Sequence, residues 1–153
     1  MENIFNLIKG TRNNFLKLVD SLSLNALNEV PAGFNNNIVW NLGHIISTQQ
    51  ALCYTRANQD PLVEPHYIAR YRKGTRPEAF VAQEELDLLK HYLFSTIEKT
   101  ASDFKEDIFT AYDPIQTSMG IEITSAEVAI QAISMHDGLH LGYAMALRKL
   151  VKG

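Results

Sequence analysis

Five histidines, His44, His66, His91, His136 and His140, are the residues of this chain whose type best suits chemistry. A neutral imidazole binds divalent metals, and its ordinary pKa also makes it an acid–base group near neutrality. His136 and His140 lie four apart in a segment of helical apolar spacing, so their side chains sit one turn apart on one face. Five histidines scattered at random give such a pair in roughly one chain of this length in eight, so spacing alone says little. Their face says more. At about 100° per residue, Ala126, Ala129, Ile133, His136, His140, Ala144, Leu147 and Val151 fall in one narrow stripe. The helix must bury that stripe, whereas Glu127, Gln131, Asp137 and Arg148 lie away from its centre. An unpaired buried nitrogen costs about 1–3 kcal/mol, so both rings need partners. A backbone carbonyl or neighbouring side chain for each is one solution. A metal ion taking one nitrogen from each ring is the other, and an i, i+4 histidine pair suits it.

A metal site needs a third ligand, and His44 within Trp40-Asn41-Leu42-Gly43-His44 offers one. On a helical wheel His44 shares a face with Trp40, Ser47, Thr48 and Ala51, a mixture suited to a pocket wall. Ile38, Leu42, Ile45 and Ile46 supply the packing face opposite. His66, in a proline-bounded connection, is a candidate fourth ligand or pocket-edge base, and His91 reads as a surface residue. Three neutral ligands leave a divalent ion its full charge and an open position, which is the catalytic pattern; structural zinc is usually closed by four ligands. Such an ion lowers the pKa of bound water or holds a thiol as thiolate, leading to hydrolysis or to thiol transfer. The ligands do not select the metal. No catalytic acid or base stands out. Asn41, Thr48, Gln49 and Tyr143 read as supporting or surface residues, and Asp137 points about 100° off the stripe and is not taken as a ligand. Cys53, on the apolar side of its helix, reads as inert. Lys73-Gly74-Thr75 lacks the rest of a phosphate-loop spacing.

The elements that must position these residues are helical. Ile4, Leu7, Ile8, Phe15, Leu18 and Leu22 give a one-sided first helix. After a loop at Pro31, Gly33 and the asparagines 35–37, a second helix is expected over about Ile38–Arg56, apolar on more than one side and therefore central. Residues 58–77 form a long connection, and Thr75 with Glu78 has capping-box spacing for a third helix reaching about Thr100. A second connection holds Pro114, Gly120 and a short extended piece at 121–123. Thr124 with Glu127 repeats the capping-box spacing before a last helix over about Ser125–Val151, with Lys149 and Lys152 near its negative end. Four helices with two long connections predict an all-α four-helix bundle in a single domain, 1–153.

Composition bounds the partners. Of 153 residues, 46% are hydrophobic and 20% charged, the make-up of a globular chain rather than a disordered one. A net charge of −3 supplies no field for phosphate backbones, so nucleic acid is not an expected partner. No apolar run reaches membrane-spanning length, and the opening MENIFNLIKGTRNN lacks a signal pattern. One cysteine fits a reducing compartment, and the cytoplasm is expected.

VWNLGHIISTQQAL at 39–52 and HDGLHLGYAMALRKL at 136–150 resemble the two signature helices of the DinB-like superfamily. The resemblance extends to the whole layout of four helices and two long connections. It implies a three-histidine divalent metal site on His44, His136 and His140, with nickel or zinc as the usual ion. It also implies frequent dimers and, for some members, thiol-dependent transferase or isomerase activity. The expected function is a metal-dependent small-molecule thiol S-transferase or hydrolase, with bacillithiol or glutathione as examples of a donor. The alternative is a non-catalytic metal-binding or stress-response bundle. A homodimer is expected, and helix two's apolar excess could be buried either against a second copy or within one chain.

Overall fold

Apolar residues at three- and four-residue steps make the first segment a one-sided helix. In the computed structural model, which describes residues 1–151, it spans Glu2–Asp20 (α1) with Phe5, Ile8, Phe15, Leu18 and Val19 buried. A short helix, Leu24–Asn28 (α2), follows on a Ser23 cap. Asn37 then caps the central helix, Ile38–Gln49 (α3), by accepting from the Trp40 amide at 2.8 Å. Nearly every side of α3 is covered by the rest of the chain, so its apolar excess is satisfied without a second copy. The same run continues as a π-turn at Gln50–Tyr54 and a 3₁₀ turn at Thr55–Ala57.

Two expected capping boxes are corrected. The Thr75 hydroxyl donates to the carbonyls of Arg70 and Arg72 at 2.8 Å each, so it closes the preceding turn. The third long helix, α5, starts only at Gln83 and runs to Lys105, leaving Pro77 outside it. The cap of the last long helix is Ser125, not Thr124, and accepts from the Val128 amide. That helix, α6, spans Ala126–Arg148. Lys152 lies outside the described residues. The connections are also more structured than their composition suggests. Pro65 opens a short helix, Pro65–Tyr71 (α4), as the first helical residue, where its missing N–H costs nothing. Ile115–Gln116 (β1) pairs antiparallel with Glu122–Ile123 (β2), in the register Ile115 with Ile123.

The fold is all-α, with α6 packed on α1 and α3, and α5 closing the bundle against both. Its apolar core divides into two clusters. One holds Phe15, Ile46, Leu93 and Ala144; the other holds Ile8, Cys53, Ile97 and Ile133. On each long helix a buried polar residue lies between the two: Arg12, Gln49, Thr96 and Asp137. Arg12 Nε donates to Asp137 Oδ2 at 2.8 Å and its Nη1 to the Leu93 carbonyl at 2.8 Å. Thr96 donates to Gln49 Oε1 at 2.9 Å, and Gln49 Nε2 to Thr100 at 2.8 Å. A polar layer thus ties all four long helices at one level.

Candidate metal centre

The buried stripe of α6 brings His136 and His140 against His44 of α3. Ring centroids are 5.1 Å apart for His44 and His136, 4.6 Å for His44 and His140, and 4.4 Å for the α6 pair. One donor nitrogen from each ring lies within 4.8 Å of the others. Among the described residues this is the one convergence of three His, Cys, Asp or Glu donors. His66 does not join it: it is exposed on α4 against Tyr67, so neither the fourth-ligand nor the pocket-edge reading has support here. His91 is exposed on α5.

Hydrogen bonds decide which nitrogens are available. His44 Nδ1 lies 2.7 Å from the Tyr71 carbonyl, which can only accept, so Nδ1 carries the proton and Nε2 the free lone pair. Asn41 Nδ2 donates to the Asn37 carbonyl at 2.7 Å, which turns Asn41 Oδ1 towards His140 Nδ1, also at 2.7 Å. His140 therefore donates from Nδ1 and keeps Nε2 free. A ligating histidine usually has its other ring nitrogen held in this way. His136 Nδ1 is buried without a hydrogen-bond partner, 3.9 Å from an equally unpartnered Asp137 Oδ1.

Burial, reinforced by the neighbouring imidazoles, keeps His44 and His140 uncharged. Desolvation lowers the His44 pKa to about 4, opposed by the Tyr71 carbonyl and reinforced by His136. Desolvation, then His136 and His44, lowers that of His140 to about 3. Both rings are neutral at pH 7, the state a metal requires. With two unprotonated Nε2 lone pairs and an orphaned buried nitrogen, the trio fits a divalent cation that takes imidazole ligands.

The surroundings fix His44 closely. Trp40 stacks on it at 4.6 Å and 11°, and Trp40 Nε1 donates to Thr75 Oγ1 at 3.1 Å. Gly43 is needed at its position: a Cβ there would meet the Tyr71 ring at 2.5 Å. Only with a glycine can Tyr71 settle on α3 and present its carbonyl to His44. Thr48 Oγ1 is 3.4 Å from His44 Nε2. A cavity of about 550 Å³ opens beside the histidines, with His44, His136, Ser47, Thr48 and Ala51 in its wall.

The four supporting polar residues divide. Asn41 and Thr48 touch the histidines. Gln49 belongs to the polar layer, and Tyr143 is 38% exposed against the edge of Phe34. Cys53 is fully buried and its thiol is pushed up to about 12, so it is inert. Sequence reasoning missed the Tyr71 carbonyl, for which no local signal exists. It also missed Arg12, although an arginine between Ile8 and Phe15 on an apolar stripe is such a signal.

A family model described as the DinB superfamily matches residues 7–144. A solved structure described as the conserved protein of a locus from Enterococcus faecalis is similar in fold, with a TM-score of 0.67 at 16% identity. The match covers 98% of this chain and 95% of that one. No curated protein matches the sequence.

Proposed function

The chain belongs to the DinB superfamily, and on that footing we propose that it is a divalent-metal-dependent enzyme using His44, His136 and His140 as its protein ligands. Nickel or zinc is the proposed ion, and a low-molecular-weight thiol or water the group it activates. A divalent ion on three uncharged imidazoles supplies a full positive charge that lowers the pKa of water or a thiol bound to it. With a thiol the protein is an S-transferase: sulfur bonds to an electrophilic carbon as that carbon's leaving group departs. With water it is a hydrolase.

The observation that carries an enzymatic reading is the cavity of about 550 Å³ at His44 and His136. An ion that only tied α3 to α6 would need no such space, and structural sites are usually closed by a fourth ligand. The residues around the histidines have definite tasks. Tyr71 and Asn41 hold the protons of His44 and His140 on Nδ1, and Trp40 shields one face of His44. Thr48 offers a hydroxyl at the cavity edge.

Metal content of untagged protein, measured by ICP mass spectrometry beside His136→Ala, is the test. Near one divalent ion per chain, lost in the variant, supports the site; screening thiols against electrophiles then separates transferase from hydrolase. No ion in either protein, with both folded, overturns the reading.

A homodimer is part of the proposal. Met135, Leu139 and Tyr143, at four-residue steps, leave an apolar strip of α6 exposed, which supports it. A monomer at tens of micromolar in analytical ultracentrifugation would sink it. The cytoplasm is the proposed compartment, supported by the single unpaired, buried Cys53. Among the described residues no helix is long and apolar enough to cross a membrane.

A further inference from the structure

Three cations line the cavity beside the histidines, Arg56, Arg72 and Lys73, and no carboxylate lines it. The chain as a whole carries −3, so this concentration of positive charge runs against its overall balance. None of the three takes part in an ion pair among the described residues. Arg72 and Lys73 directly follow Tyr71, whose carbonyl holds His44, so their chain starts beside the histidines. Arg56 lies beyond the π-turn at the other end of the run that carries His44, with Thr48, Ala51 and Leu52 in the wall between. The remaining wall is largely apolar, including Ile115, Ile121 and Ala132.

We infer that this cavity binds an organic anion with an apolar body, the anionic head held by Arg56, Arg72 and Lys73 and the body lying along the apolar wall towards His44 and His136. Unpaired cations gathered around one concave, largely apolar wall focus field on a small anion, and an arginine fork matches a carboxylate. A volume of about 550 Å³ is that of a small-molecule site, within the usual range of about 300–1,000 Å³. The inference deepens the proposed function and rests on reading this cavity as the place of chemistry. It does not depend on a bound metal.

Isothermal titration of the metal-free full chain with octanoate, octan-1-ol and octylamine tests it. Octanoate is expected to bind at least tenfold more tightly than either neutral or cationic analogue. Arg56→Gln, and separately Arg72→Gln with Lys73→Gln, should each weaken octanoate fivefold or more while leaving octan-1-ol unchanged. Arg72 and Lys73 are exposed, so their replacement leaves the fold intact, and Arg56→Lys should restore much of the loss at the half-buried position. Equal binding of octanoate and octan-1-ol, no octanoate binding, or insensitivity to these substitutions would overturn the inference. Because the metal is absent throughout, such a result leaves the metal-site reading untouched. A chain that binds octanoate selectively but never takes up metal fails only the other one.

Discussion

Asn41 orients His140 through two bonds whose direction the backbone dictates: the Asn37 carbonyl claims the amide nitrogen, and the amide oxygen is left for His140 Nδ1. Asn41→Ala removes that acceptor without touching a ligand. Loss of such a partner typically costs about 10–100-fold in metal affinity, and competition with a chromophoric chelator should show a loss of that size with the helical spectrum unchanged. The same rings set the acid behaviour of the metal-free protein. Between about pH 6.5 and pH 4 the unfolded chain protonates its histidines, whereas burial holds His44 neutral to about 4 and His140 to about 3. The unfolded state therefore binds more protons in that window, and stability falls as the pH falls. The limiting slope is about 1.4 kcal/mol per pH unit for each histidine held neutral. Melting curves of the chelator-treated chain should show this decline, and His44→Gln should make it shallower.

The central helix works because one position carries no side chain. At Gly43 a Cβ would sit 2.5 Å from the Tyr71 ring, which is buried and hydrogen-bonded through its hydroxyl to Glu85 at 2.6 Å. The ring cannot swing away as a flexible chain end would. Gly43→Ala should therefore destabilise the fold by about 1–3 kcal/mol despite alanine's better helix propensity. It should also weaken metal binding, since α4 and the Tyr71 carbonyl must move off His44. Thermal melts and a metal titration of the one variant check both, and an unchanged melt would show that α4 yields freely. Downstream, the π-turn at Gln50–Tyr54 widens the same helix where the cavity opens. A wide turn of this kind is common at functional sites.

Across the whole molecule, the Arg12–Asp137 pair has both side chains fully buried and joins α1 to α6 next to His136. Removing one partner leaves an uncompensated charge in the interior. Arg12→Ala or Asp137→Ala should each cost about 3–5 kcal/mol, seen as a large drop in Tm. The double replacement Arg12→Met with Asp137→Leu should recover most of it, because both desolvation penalties then disappear. A double variant no more stable than the singles would mean that the remaining polar layer, through Thr96 and Gln49, depends on the arginine. Metal should act at this scale as well. An ion that binds only the folded chain at 100 times its Kd adds about 2.7 kcal/mol. The parent should melt higher with added metal, and His140→Ala should not.

By itself the sequence determined the all-α class and the α6 stripe that carries His136 and His140, because helical periodicity is local and its apolar face must be buried. That His44 joins them was implied by the resemblance of its segment to a signature helix, not by periodicity. The same reasoning could have marked Arg12, which occupies a core position between Ile8 and Phe15. Helix starts were less legible. Thr75 and Thr124 have the right spacing for caps, but a hydroxyl caps only where the chain already turns, and Ala82 and Ser125 hold those places. Only the tertiary structure decided what surrounds the histidines. The Tyr71 carbonyl on His44, the Asn41 amide on His140, and Arg56, Arg72 and Lys73 around one cavity join residues far apart along the chain. Such contacts follow from how the helices pack, which no local periodicity encodes.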